Sequence, residues 1–344
     1  MKASEAPDVD VNGCMKTSLM PSATDCQNFT VNKLEDNQGR TSRKRKLSTS
    51  PRSFRASYQR TGESLGDGSF ASVRTYRHRR TGREVAVKII KVDKKDTIET
   101  RRAQIFNEIE ICRRHKDCEN ILTLFEYFEE DGKFFLVFEK IDGGDLFDFI
   151  TEKRILSEAE AASILKGMVT GLASLHNKGV THRDIKPENV LLSRSSGTLV
   201  AKLCDFNLSS DLQGLVAANG TIDYMAPEVV MNKHLPLESK NVYGMSCDIW
   251  SLGVTLFEML TGFRPFEESC GSDSCAGLKD FGLCVDCELL VGANIMQMKI
   301  CRSKEFNKLS DVVKDLLYRL MAQEPGKRIT AAQVLKHPFL YCDE

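Results

Sequence analysis

The sequence predicts an α+β fold in two lobes, a small antiparallel sheet with one helix followed by a larger helical lobe. Three observations carry that prediction. Residues 58–138 read as short strands punctuated by glycine. One helical stripe interrupts them, and beyond Gly143-Gly144 the apolar residues recur almost throughout at helical spacing. Strands gathered first and helices after favour segregated layers over an alternating parallel sheet.

Taken in order, strands are expected at Glu63–Leu65, Phe70–Arg77 and Glu84–Lys91, with Gly66, Gly68 and Gly82 as turn residues. Ile105, Ile109 and Cys112 then share one face of a helix over 98–114, with Glu108 beside them. Strand character resumes at Leu122–Phe128 and Phe134–Phe138. Helices are expected at 145–152, 157–177, 248–261, 309–322 and 330–336. The small lobe is therefore assigned to 58–141 and the large one to 142–340. Residues 1–57 are polar, lack a sustained period, and are read as a tail unable to bury enough apolar area to order itself.

With 41% hydrophobic and 28% charged residues and zero formal net charge, the 344-residue chain has the composition of a soluble globular protein. Its basic charge is local. Residues 40–60 carry Arg40, Arg43, Lys44, Arg45, Lys46, Arg52, Arg55 and Arg60 with no acid, which reads either as a solvated flank or as a nuclear-import or acidic-partner sequence centred on Arg43–Lys46. No apolar run is long enough for a signal peptide or membrane span, so no membrane association is expected, nor is direct nucleic-acid binding. The 12 cysteines are accordingly expected as reduced thiols or metal ligands. Four of them, Cys270, Cys275, Cys284 and Cys287, cluster within a glycine-bearing stretch, 269–288, at a spacing that suits zinc. Unligated surface thiols are the alternative.

The chemistry lies in His182-Arg183-Asp184-Ile185-Lys186-Pro187-Glu188-Asn189 and, after a hydrophobic run, Asp205-Phe206-Asn207. Asp184 can take a proton from a substrate hydroxyl and Lys186 can steady a migrating phosphate. Asn189 and Asp205 offer the oxygen ligands that magnesium prefers beside phosphates. Upstream, Leu65, Gly66, Asp67, Gly68, Ser69, Phe70, Ala71 and Val73 form a glycine turn whose backbone amides can approach phosphates, although an ordinary hairpin explains the glycines equally well. Ala86 and Lys88 follow on the third strand, and Glu108 can pair with the Lys88 ammonium over the α- and β-phosphates. The backbone of Glu139 through Ile141 would meet the edge of an adenine.

Read together, these motifs identify residues 58–340 as resembling a protein kinase domain of the calcium/calmodulin-kinase-like group, and within it the MAP-kinase-interacting Ser/Thr kinases. The non-glycine residue after Asp205-Phe206 and the cysteine-rich insertion after Pro265-Phe266 are the more specific marks. The resemblance implies a bilobal kinase fold, ATP and magnesium, a structural zinc, and the cap-binding initiation factor 4E as substrate. It also implies a translation-initiation scaffold or importin on Arg43–Lys46, and a cytoplasmic or nuclear location. Two departures concern regulation: Asp205–Glu228 holds no Thr-Pro but offers Ser209, Ser210 and Thr221, and no MAP-kinase docking motif follows the domain before Glu344. Activation by another route, or high or absent basal activity, is expected in consequence. Asn207 is either a tolerated turn residue or a bias that turns Asp205-Phe206 away from magnesium. Another calmodulin-kinase-like enzyme and a weakly active scaffold are the competing readings.

Overall fold

The computed structural model describes residues 53–67, 71–92, 98–195, 198–211, 215, 217, 219–233, 235–267, 285–300 and 304–341. The small lobe is a five-stranded antiparallel sheet in the order β1-β2-β3-β5-β4, built from β1 (Tyr58–Asp67), β2 (Ala71–His78), β3 (Glu84–Lys91), β4 (Leu124–Glu130) and β5 (Lys133–Glu139). Preceding it is a single turn, α1 (Phe54–Ser57), and between β3 and β4 lies α2 (Ile98–Arg114). The two-residue side-chain period divides β3 between two environments. Val85 and Val87 point to one face with Phe135 and Val137, whereas Ala86, Lys88 and Ile90 point to the other, where α2 and the large lobe lie.

The fold begins earlier than the sequence suggests. A boundary at residue 58 leaves Phe54 in the tail, yet its ring is 2% exposed, stacked on Phe135 at 4.2 Å and packed against Tyr58, Tyr76 and Phe128. Its backbone N–H and the Ser53 hydroxyl both donate to the Glu130 carboxylate. One aromatic residue in a basic, serine-rich stretch shows no period, so the sequence held no local sign of this anchor. The expected tail before Ser53, including Arg43–Lys46, lies outside the described residues.

The large lobe contains α3 (Leu146–Lys153), α4 (Glu158–His176), α5 (Pro227–Lys233), α6 (Ser246–Thr261), α7 (Val285–Met296), α8 (Lys304–Lys308), α9 (Asp311–Leu320) and α10 (Ala331–Val334). Helix α4 starts on a capping box in which Ser157 and Glu160 satisfy each other's backbone N–H groups. Helix α6 is buried on all sides as the centre of this lobe, and it ends on Gly262 in the left-handed conformation. The expectation of a mainly helical lobe overlooks one element, the hairpin β6 (Val190–Ser195) and β7 (Thr198–Leu203). Short buried strands and buried helix segments look alike in a sequence. The hairpin positions the site, since it joins Asn189 to Asp205. Gly143 lets the chain leaving β5 lie against it, because a Cβ there would sit 2.2 Å from the Leu192 carbonyl oxygen.

Candidate active site

Lys88 on β3 is held by two carboxylates. Its ammonium lies 2.8 Å from Glu108 Oε1 on α2 and 2.7 Å from Asp205 Oδ1, just beyond β7. Burial by itself would lower the lysine's pKa, but Glu108 and Asp205 outweigh it and raise it. Burial also pushes the Asp205 carboxyl up, and Lys88 more than reverses this, leaving it below the usual range. The three groups join sheet, helix and large lobe at one point, where burial and the neighbouring Asp205 charge raise the Glu108 carboxyl above its usual range although Lys88 opposes the shift. Glu108 is spent on Lys88, whereas the second oxygen of Asp205 has no hydrogen-bond partner among the described residues.

The catalytic loop closes a second network around Asp184. One of its carboxylate oxygens accepts from Asn189 Nδ2 at 2.9 Å and meets the Lys186 ammonium at 3.1 Å. The other accepts from the backbone N–H and hydroxyl of Thr221, each at 3.2 Å, and Lys186 donates to the same hydroxyl at 2.8 Å. Thr221 thereby clamps the following segment to the loop. Gly220 permits the approach, since it has φ +113° and a Cβ there would lie 2.6 Å from the Arg183 carbonyl oxygen. Of the other hydroxyls in this segment, Ser209 is buried and donates to the His182 carbonyl.

Beneath the loop, fully buried Asp248 on α6 accepts from the backbone N–H groups of His182 and Arg183, each at 2.8 Å, and from His176 at 2.9 Å. Burial would raise its pKa, but these donors and the charge of His176 hold it below the usual carboxylate range. Arg183 has φ +73°, a strained conformation for a side-chain-bearing residue, stabilised by those bonds and by its guanidinium contacts to the Tyr243 hydroxyl and the Ala217 carbonyl. Tyr243 has no sequence signal. Glu228, at the end of the segment, forms a forked ion pair with buried Arg328, 2.7 Å on one arm.

Asp205 is the second strained residue, at φ +61°, while Asn207 is absent from the positive-φ residues. The conformational freedom usually supplied by glycine is therefore not required at position 207. Nor is the out-turned arrangement present: Asp205 reaches Lys88, and Phe206 is buried against the His182 ring at 5.2 Å. In this structure Asn207 is a tolerated turn residue.

Of the nucleotide-facing positions, Leu65, Gly66, Asp67, Ala71 and Val73 fall on β1 and β2, and Ala86 on β3. Gly68, Ser69 and Phe70 lie outside the described residues. Arg74, which the motif reading omits, ties the turn together by donating to Ser64, the Gly66 carbonyl and the Asp67 carboxylate. Glu139 closes β5, and neither backbone group of Ile141 has a hydrogen-bond partner among the described residues, as a segment facing a ligand would require.

A family model for the protein kinase domain matches residues 59–340. This chain belongs to the protein kinase family. It is 37% identical over 295 residues to MAP kinase-interacting serine/threonine-protein kinase 2 of Xenopus laevis, covering 82% of this chain and 61% of that protein. It is 36% identical to MAP kinase-interacting serine/threonine-protein kinase 1 of Xenopus tropicalis, covering 83% of this chain and 69% of that one. A similar relative in Caenorhabditis elegans, mnk-1, shares 34% identity over 82% of this chain and 41% of its own length. The chain thus spans between two fifths and seven tenths of these relatives. It is a serine/threonine protein kinase by family, and that domain works on ATP with magnesium.

Asn189 and Asp205 suit magnesium, which takes one or two protein oxygens and completes its shell with phosphates and water. Zinc stands differently. Among the described residues no group of three His, Cys, Asp or Glu side chains is placed to hold a metal. Cys287 is buried near the start of α7, and Cys270, Cys275 and Cys284 lie outside the described residues. No helix of the described residues is long and apolar enough to cross a membrane.

Proposed function

We propose that this kinase transfers the γ-phosphoryl group of ATP to a serine or threonine hydroxyl of a protein substrate. The observation that supports this best is the pair of linked networks, Glu108–Lys88–Asp205 and Lys186–Thr221–Asp184–Asn189, which bring every expected catalytic side chain into hydrogen-bonded register. Lys88, fixed by Glu108, orients the α- and β-phosphates. Magnesium, when bound through Asp205 and Asn189, would neutralise phosphate charge. Asp184 accepts the proton as the substrate oxygen bonds to the γ-phosphorus and the bond to the β-phosphate oxygen breaks, releasing ADP. Lys186, bonded to both Asp184 and Thr221, stands beside the transferring group and offsets its charge.

By resemblance to the MAP-kinase-interacting kinases, the substrate is the cap-binding initiation factor 4E, and a MAP kinase is a partner. Arg43–Lys46 would recruit a translation-initiation scaffold or importin, in the cytoplasm and the nucleus. The four cysteines would bind zinc through thiolates, Cys284 and Cys287 forming the closer pair. Transfer from radiolabelled ATP to purified factor 4E and to a generic basic protein, with Asp184→Ala as control, tests the activity. Label that depends on Asp184 upholds it, and no label at any magnesium concentration even after MAP-kinase treatment turns the reading to a scaffold. Elemental analysis of protein purified without chelator should return about one zinc per chain; a value near zero removes the zinc site and leaves the kinase reading intact.

A further inference from the structure

Lys202 is out of place by sequence. It stands within Leu199-Val200-Ala201-Lys202-Leu203-Cys204 on β7, where Ala201 and Leu203 are both 0% exposed, and it is itself only 8% exposed. Lysine is almost never buried to this extent without a partner, because removing an ammonium from water is costly. The partner is Glu139, whose Oε1 lies 3.0 Å from the Lys202 ammonium.

That carboxylate belongs to the segment that meets the base. The same oxygen accepts from the Thr123 N–H at 2.8 Å, and the Glu139 N–H donates to the Thr123 carbonyl at 3.0 Å. Strand β7 is in turn held on both sides. Leu203 donates to the Asn120 carbonyl and accepts from the Leu122 N–H, each at 2.9 Å, while Lys202 pairs with Leu191 of β6. Three residues beyond Lys202 the chain reaches Asp205. One strand therefore carries near its end the cation that grips the end of β5 and, just beyond it, the carboxylate that meets Lys88.

We propose that Lys202 is a positioning residue for nucleotide recognition. Its ion pair sets where the Glu139–Ile141 backbone stands relative to Asp205, so that base and phosphates are engaged together. The proposal rests on reading this cleft as the ATP site. Without the cation, the Glu139 carboxylate would be left half-compensated in a half-buried place and would turn toward water, drawing the base-facing backbone with it.

Equilibrium binding to the full chain tests this, with ATP and with inosine triphosphate, whose base lacks the exocyclic amine of adenine. Lys202→Met should weaken ATP binding about tenfold and shrink the preference for ATP over inosine triphosphate by a similar factor, while KM for a peptide substrate stays within about twofold. Lys202→Arg should recover most of the loss. Glu139→Gln should reproduce it, and adding Lys202→Met to Glu139→Gln should change little more, because both remove one interaction. A folded Lys202→Met protein with unchanged ATP affinity and base preference overturns the proposal. So does a Lys202→Met protein that fails to fold while Glu139→Gln binds both nucleotides like the parent. A parent that binds neither nucleotide instead removes the nucleotide-site reading on which the proposal stands.

Discussion

The two faces of the small-lobe sheet differ in what holds them. On the cleft face, β3 presents Lys88 to Glu108 and Asp205, and the lysine favours the charged form of each carboxylate while the two carboxylates repel. On the opposite face it presents Val85 and Val87 to a cluster in which Phe54, Tyr58 and Phe135 bury their rings. A buried ionic network contributes little net stability, since desolvation offsets most of the Coulomb gain, but it fixes geometry; a buried aromatic cluster contributes stability through area removed from water. The contrast separates function from folding within one strand. A change on one face should therefore alter chemistry, and on the other, melting.

The largest effect is expected in the cleft. Asp184→Ala should lower phosphoryl transfer at least about 10³-fold, about 4 kcal/mol in barrier, with the melting temperature nearly unchanged. If the protein also unfolds, the division between cleft chemistry and packing fails. Next comes the anchor: Phe54→Ala should cost about 3–4 kcal/mol in denaturant unfolding while the turnover of folded molecules stays near that of the parent. Lost turnover at full folding would show that the outer face also shapes the cleft.

A smaller effect is expected at Glu258 in the large lobe, which combines both characters. Burial pushes its carboxyl up to about 7, although the Tyr224 hydroxyl donates to it at 2.7 Å and Arg264 also opposes the shift. A folded value above the unfolded one means that the fold favours the protonated acid. Stability from this group is thus full below about pH 4.5 and is lost as pH rises through about 7. Glu258→Gln keeps an acceptor for Tyr224 without the charge. Its stability should exceed that of the parent by a margin that opens across this window and levels off above it, at no more than about 3 kcal/mol. Equal pH profiles for the two proteins would show that Glu258 ionises freely.

Much of the cleft was legible because its residues are tied to chemistry at short sequence spacing. Asp184, Lys186 and Asn189 share one loop, and the Lys88–Glu108 pair needs only a strand followed by a helix. The parts that escaped act across distance or without a motif. Phe54 reaches Phe135 and Glu130, Arg183 finds Tyr243, and Arg74 ties the glycine turn. The hairpin of β6 and β7 escaped because a short buried apolar run has no distinguishing period.

The lobe order, the family and the candidate cleft residues follow from the sequence alone, since each rests on local periodicity or on a motif of fixed spacing. Only the tertiary structure decided where the fold starts, that Asp205 rather than Asn207 carries the backbone strain, and that Lys202 is answered by Glu139. Those outcomes depend on which groups meet in the buried interior, where an unmatched charge or ring is expensive and its partner can lie anywhere along the chain.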